Sequence, residues 1–314
     1  MRKNYLVLPL LALSLSVLAS CGEDDGTPVA RVDVTPRQLR LGYPEVQTLR
    51  LEWNPTAELE GLSSQPMVFI HLLDAKKTLV RTFDHPFPQK WRPGTPVSDE
   101  ARLFQSQLAP PLSPGKYTVT VGLYEGKRRW ALEGLGERVD RGEYVAAQVE
   151  VPSEATAPKL VFSPQWLPVE PGADRQVLVR RWLNGRGAIR VEGVRGPGAL
   201  WLVLRIPPVD PAKERLELEG DANLPGVLVR GCGGFEMSVS GPGTHEIEVP
   251  LDGTQSKACR IGLNPNFTIV SATTGQRRSV SLENAAWEAG AHKAEAPAAP
   301  AAPAAPTAPA APGR

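Results

Sequence analysis

The sequence predicts an all-β fold of two tandem β-sandwich domains, followed by a disordered Pro/Ala-rich C-terminal tail. Short segments that alternate apolar and polar residues recur along the chain, as expected for strands with one buried face. Gly and Pro, which number 29 and 32, recur between these segments as turn formers. Helical periodicity is almost absent. The 314 residues are enough for two domains that each bury a core.

The N-terminus predicts export. A basic start, Met1-Arg2-Lys3, precedes an apolar run from Leu6 to Leu18. This run is shorter than the roughly 20 residues that a membrane-spanning helix needs. It ends in Leu18-Ala19-Ser20-Cys21, which resembles the lipobox of bacterial lipoproteins. The resemblance implies that residues 1–21 are a signal peptide ending at a lipidated Cys21, which anchors the protein to a membrane. An ordinary secretory signal peptide is the alternative.

Residues 22–29 form a short segment that begins with an acidic run between Gly22 and Gly26. This composition predicts a flexible spacer between the anchor and the first domain. In Gram-negative lipoproteins an aspartate after the lipidated cysteine commonly retains the protein in the inner membrane. Gly22 stands at that position, so the resemblance favours the outer membrane, facing the periplasm or the cell surface. The formal net charge of +1 gives no argument for nucleic acid as a partner.

Residues 30–151 are predicted to form the first sandwich. Asp74-Ala75-Lys76-Lys77 separates two apolar runs and predicts a hairpin turn. The strands are predicted at 30–34, 47–53, 67–73, 78–83, 116–124 and 145–151.

Three segments of this region, at 68–74, 91–94 and 112–124, resemble the Ig-like modules appended to membrane glycosyltransferases and other bacterial envelope proteins. The resemblance implies a non-enzymatic accessory domain. That family usually has Gly or Asn in the hairpin turn where this chain has Lys77. We therefore expect a left-handed, mildly strained backbone at Lys77.

The Pro-containing segment 152–158 predicts a linker, and residues 159–290 predict the second sandwich. Features at 181–182, 200–204, 235–239, 264–267 and 277–280 resemble a galactose-binding-like jelly roll. The strands of this domain are predicted at 160–162, 177–182, 188–191, 200–206, 215–218, 227–229, 235–239, 245–249, 258–263 and 279–282.

The tail, residues 291–314, consists largely of Ala and Pro. Such a composition cannot build a core and favours extended polyproline II. An inert end and a partner-binding segment are both open interpretations.

Three cysteines occur in the chain. With Cys21 lipidated, Cys232 and Cys259 remain as a pair in an oxidising compartment, which predicts a disulfide between them. Two separately buried thiols are the alternative. No metal site is predicted at this pair, because no histidine lies nearby in the sequence to complete a tetrahedral set.

No catalytic set stands out in the sequence, so we predict no enzyme and no cofactor. His71, Asp74, Asp84 and His85 surround one predicted hairpin, but Asp74 suits a turn and the others are not expected to converge on a metal. No Gly-x-Ser-x-Gly elbow and no Gly-rich phosphate loop occurs. A glycosidase couple such as Glu52 with Asp99 has no support beyond the presence of two carboxylates.

Aromatic side chains are the remaining candidates for ligand binding, because their faces stack on sugar rings. Trp201 lies in an apolar run that predicts a core strand, whereas Trp91 lies in a polar loop and is the best exposed candidate. Plain packing of the Trp91 ring is the alternative to a binding role. The sequence therefore predicts a non-enzymatic binding or scaffolding protein, with a carbohydrate or an envelope protein as partner. An enzyme acting on envelope polysaccharide and a purely structural spacer are the alternatives.

Overall fold

The computed structural model describes residues 26–154, 157–172, 178–253 and 258–290. These residues form strands and no α-helix; one 3₁₀ turn spans Cys232–Gly234. The predicted all-β class is therefore confirmed. None of the elements in these ranges is a helix with the length and apolarity required to cross a membrane. The predicted signal peptide with Cys21 and the predicted tail at 291–314 lie outside the described residues.

Residues 30–151 form twelve strands, which we call the first strand group. They are β1 Ala30–Thr35, β2 Gln38–Arg40, β3 Val46–Pro55, β4 Met67–Leu73, β5 Leu79–Thr82, β6 His85–Pro86, β7 Val97–Phe104, β8 Gly115–Glu125, β9 Arg128–Trp130, β10 Leu132–Glu133, β11 Arg138–Asp140 and β12 Glu143–Val151.

Two sheets face each other in this group. The smaller has the order β10-β1-β3-β7, and the larger has the order β11-β12-β8-β4-β5, with β2, β6 and β9 attached. Alternate residues of the strands point inward, as the period of a strand requires. Val32, Leu51, Ile70 and Val121 are among the fully buried residues of the shared core.

Residues 159–290 form the second strand group. Its strands are β13 Lys159–Phe162, β14 Trp166–Pro171, β15 Val179–Leu183, β16 Gly187–Glu192, β17 Gly198–Ile206, β18 Glu214–Leu218, β19 Gly226–Arg230, β20 Glu236–Ser240, β21 Gly243–Leu251, β22 Cys259–Pro265, β23 Phe267–Ser271, β24 Arg277–Arg278 and β25 Ser281–Ala289.

The second group contains two five-stranded sheets, β13-β16-β22-β19-β20 and β14-β15-β25-β17-β21, and a small third sheet, β18-β23-β24. The inward residues of β17, such as Leu200 and Leu202, pack into a core with those of β22. The predicted disulfide is confirmed: Cys232 and Cys259 are bonded, with their Cα atoms 5.8 Å apart. It ties the turn before β20 to the start of β22.

The two groups meet along a seam. Backbone N–H groups donate from Gln107 to Ala285 O, at 2.8 Å, and from Trp287 to Pro44 O, at 2.7 Å. A small apolar cluster of Val46, Trp201 and Ala286, with Phe104 and Val203 beside it, fills the space between the groups. The strand β25 therefore packs against both groups. The domain limits drawn at 152–158 stay a prediction.

Candidate functional site

A cavity of about 570 Å³ lies along this seam, and we call it the interface cavity. The first strand group supplies the walls from β5, β6 and β7, and the second from β15, β17, β21 and β25. Its lining includes Arg81, Thr82, Asp84, His85, Glu100, Arg102, Phe104, Trp201, Val203, Arg205, Thr244, Glu246, Glu283, Asn284 and Glu288.

A β-bulge in β25 shapes one wall. In the register with β17, Leu204 faces Leu282 and Val203 faces Asn284, so Glu283 is an extra residue in β25. A bulge changes the alternation of side chains along the strand. Leu282 and Ala285 consequently point into the core, while Glu283 and Asn284 both lie on the cavity side.

Two polar side chains of the lining have no hydrogen-bond partner among the described residues. Both amide atoms of Asn284 and the hydroxyl of Thr82 are buried in this state, and Asn284 is only 2% exposed. A buried polar group without a partner costs about 1–3 kcal/mol. Such groups are found where a ligand or an ordered water completes the hydrogen bonding.

The aromatic wall is held by charged side chains. The guanidinium of Arg102 lies 5.0 Å from the centre of the Trp201 ring and pairs with Glu246 at 2.9 Å and also with Glu248. The Trp201 Nε1–H donates to the same Glu246 carboxylate at 3.1 Å. The Phe104 and Trp201 rings pack edge-to-face, with their centroids 5.0 Å apart. Arg102 therefore both joins the two strand groups and covers one face of the indole.

Carboxylates dominate the charge of the interface cavity. Its described lining contains five acidic side chains, Asp84, Glu100, Glu246, Glu283 and Glu288, against three arginines, Arg81, Arg102 and Arg205. Arg205 Nη1 lies 3.8 Å from Glu283 Oε1. Burial raises the pKa of Asp84, although the charge of His71 opposes this shift. Burial also lowers the pKa of Arg81.

The four residues around the predicted hairpin have separate roles. Asp74 accepts N–H groups of Lys76 and Thr78, each at 2.8 Å, as a turn residue. His85 Nε2 bonds to the buried Asp99 at 2.9 Å. His71 Nε2 lies 3.9 Å from Asp84 Oδ1, a proximity that the sequence did not imply.

His71 belongs to a polar cluster on the outer face of the larger sheet in the first group. Its Nδ1 lies 3.1 Å from Glu143 Oε1, which also accepts the Thr120 hydroxyl at 2.6 Å. Arg129 lies 3.5 Å from the other Glu143 oxygen. Burial would raise the pKa of Glu143, but these hydrogen bonds and charges lower it overall. Among the described residues, no group of three or more His, Cys, Asp or Glu side chains is arranged to hold a metal ion.

Trp91, the residue selected from the sequence for ligand binding, lies in the core of the first group. It is 5% exposed, packs against Phe87 at 5.0 Å and donates its Nε1–H to Ala57 O at 2.9 Å. The ring is therefore packed, as the alternative interpretation of this residue has it, and not exposed. Trp91 also lines a second pocket of about 320 Å³, and its binding role stays a prediction.

Sequence reasoning considered Asp84, His85 and Trp201 but missed the interface cavity that they line and the other residues there. Trp201 is buried as predicted, but against the other strand group as well as its own. Glu283 and Asn284 follow a predicted strand end at Leu282 and gave no signal of their own. Only the pairing of β17 with β25 brings them to the cavity.

Comparisons with known proteins add little to this geometry. No family model matches the chain, and no curated protein matches it. Among solved structures, the chain is similar to the secreted serine protease VesC from Vibrio cholerae, with 11% identity and a TM-score of 0.24. That match covers 80% of this chain and 49% of the protease, so the chain spans about half the length of that structure.

Proposed function

We propose that this protein is a lipid-anchored, non-enzymatic binding module of the bacterial cell envelope, and that the interface cavity holds its ligand. The main support is Asn284, a buried amide of the cavity lining that has no hydrogen-bond partner among the described residues. Pockets that combine apolar walls with a few placed polar groups are typical of small-molecule sites. The cavity of about 570 Å³ has the volume of such sites.

The finer fold belongs to the same proposal. We assign residues 30–151 to an Ig-like sandwich and residues 159–290 to a galactose-binding-like jelly roll. The support is that each strand group packs two main sheets around a core of its own. In both kinds of fold the sandwich itself is a scaffold, and function depends on the site that it carries.

An enzyme acting on envelope polysaccharide is the second candidate, and one observation favours it. Asp84 lines the cavity with other carboxylates, and burial raises its pKa. A carboxyl group with a raised pKa is what a general acid for glycoside cleavage needs. Release of reducing ends from purified envelope polysaccharide, abolished by Asp84→Asn, would replace the binding proposal with this one.

A glycan array tests the binding proposal. Thr244 is exposed on β21 and lines the cavity, so Thr244→Trp should obstruct it without disturbing a core. Val169→Trp, at an exposed position of β14 outside the cavity lining, is the control. We expect wild type and the control to bind the same glycans and Thr244→Trp to lose them. Binding of no glycan would contradict the proposal and leave the spacer interpretation. Equal binding by all three proteins would contradict the assignment of the ligand to the interface cavity.

The anchor is tested separately. Cys21→Ala should abolish lipidation, because the thiol that receives the lipid is absent, and should leave the protein unprocessed or released. Acyl chains contribute about 0.8 kcal/mol per buried methylene, so a multiply acylated protein stays in the membrane fraction. Palmitate labelling and fractionation measure both effects. A variant that still incorporates palmitate would show that Cys21 is not the anchor.

A further inference from the structure

Resting on the proposed function, we infer that the interface cavity takes a neutral, hydroxyl-rich ligand of the sugar or polyol class, and that the adjacent Glu283 and Asn284 side chains read its hydroxyl groups. The bulge in β25 places these two residues on the same side of the strand, where regular alternation would separate them. The fold thus presents a carboxylate and an amide next to each other.

The Glu283 carboxylate and the Asn284 amide together can hydrogen-bond two neighbouring hydroxyl groups of a sugar or polyol. An ionised carboxylate only accepts, whereas an amide both donates and accepts. A hydroxyl group also does both, so one hydroxyl can donate to Glu283 while its neighbour bonds to both ends of the Asn284 amide. The Thr82 hydroxyl, buried and without a partner among the described residues, adds a donor and acceptor from the first strand group.

The charges of the cavity disfavour an anionic ligand. Carboxylates outnumber arginines in the described lining, and two of the three arginines already face carboxylates, Arg102 with Glu246 and Glu248 and Arg205 with Glu283. A phosphate or carboxylate would have to displace these partners. A cationic group would have to compete with Arg102 and Arg205 for carboxylates that are already paired, and Arg102 already covers one face of the Trp201 ring. A neutral ligand avoids both conflicts.

The apolar part of the wall suits the remaining surface of a sugar. Phe104, Trp201 and Val203 line the cavity together with the polar side chains of β7 and β25. Such a surface accepts the C–H face of a sugar ring while its hydroxyls turn to the polar groups. Because the amide atoms of Asn284 are buried in this state, binding requires neighbouring side chains of the cavity lining to change rotamer, as is common at binding sites.

Ligands that share one ring but differ in charge test the ligand class. Saturation-transfer NMR and titration calorimetry with glucose, galactose and mannose, compared with glucuronate and glucosamine, should detect binding of at least one neutral hexose. The charged sugars should bind about tenfold more weakly or not at all, because each would have to break an existing ion pair of the cavity. Preferential binding of glucuronate or glucosamine at a cavity that Thr244→Trp blocks would overturn this inference and leave the proposed function intact.

Asn284→Leu tests the role of the side chain. If Asn284 serves the ligand, the leucine variant should bind the neutral hexose at least about tenfold more weakly, while its urea unfolding midpoint is unchanged or raised because an unpaired buried amide has been removed. A lower midpoint would assign Asn284 a structural role, and unchanged binding would show that it does not contact the ligand. Either result overturns the inference, whereas absence of any cavity ligand overturns the proposed function itself.

Discussion

Lys77 holds a backbone conformation that residues with a Cβ atom rarely adopt. Its φ is 61°, in the turn between β4 and β5, and it is the only described residue other than glycine with a positive φ. This confirms the expectation drawn from the Lys at a turn position that usually carries Gly or Asn. A left-handed conformation costs a non-glycine residue about 1 kcal/mol.

Lys77→Gly should therefore raise the free energy of unfolding by about 0.5–1 kcal/mol, since glycine adopts this φ without a steric penalty. Urea denaturation measures the change. Lys76→Gly is the matched control: its φ is not positive, so the added backbone freedom should leave stability unchanged or lower. Equal effects of the two substitutions would mean that the left-handed turn is not strained.

The His85–Asp99 pair gives stability a pH dependence. Burial opposes protonation of the ring, but the hydrogen bond and charge of Asp99 outweigh it and raise the pKa of His85 above its usual value. A raised pKa in the folded state contributes stability that is complete below the unfolded pKa of about 6.5. That contribution is lost as the pH rises through the folded pKa.

Asp99→Asn should consequently lower the free energy of unfolding by about 1.5 kcal/mol more at about pH 5.5 than at about pH 9. The reason is that the Asp99 carboxylate stabilises His85 by its charge only when the ring is protonated. Urea titrations at the two values measure the difference. Asp33→Asn, at a half-exposed carboxylate beside Arg31, should show no such dependence. A loss that is the same at both pH values would contradict the assignment to His85.

At the scale of the element, the predicted and observed strands differ where polar residues are buried. Met67–Leu73 was predicted to the residue because its pattern is plainly apolar. β7 was missed because the buried Asp99 breaks its alternation. β25 was predicted to end near Leu282, since Glu283 and Asn284 interrupt the pattern, yet it continues to Ala289. Whether a polar residue is buried in a strand depends on its tertiary contacts, and the local sequence pattern carries no information about those contacts.

The disulfide is the element whose removal has the clearest expected cost. It closes a loop with a sequence separation of 27, and replacing Cys232 and Cys259 together by Ser should lower the free energy of unfolding of the second strand group by about 2–4 kcal/mol. Hydrogen exchange should locate the loss in that group and spare β1 to β12. Mass spectrometry of the unreduced protein is the direct check. Two alkylatable thiols at Cys232 and Cys259 would refute the bridge.

At the scale of the whole molecule, the seam joins what the sequence predicts as separate domains. The linker prediction concerned only the chain between the groups, and no local pattern indicated that Trp201 packs against Phe104 across the seam. The cavity and its residues were unpredictable for the same reason: they exist only once two distant strands, β7 and β25, lie opposite each other.

Protease cleavage at 152–158 should therefore cut the chain without separating the groups, since backbone hydrogen bonds and the Arg102 ion pairs cross the seam. The two fragments should elute together in gel filtration under native conditions. Arg102→Ala should promote their separation. Arg50→Ala, which removes an exposed ion pair with Glu100 inside the first group, is the control. Separate elution of the wild-type fragments would mean that the seam is weak.

Because β25 is the last strand of the described chain, the first strand group can fold before the cavity is complete. The sheets of the first group pair only β1 to β12 with one another, so this group can fold as soon as its residues emerge, as N-terminal units do during synthesis. The strand β25, which carries Glu283 and Asn284, is synthesised after the other described strands and packs against β17 and the first strand group. A chain that stopped before β25 would lack this wall of the cavity, so binding of the proposed ligand there would require a chain synthesised through Ala289.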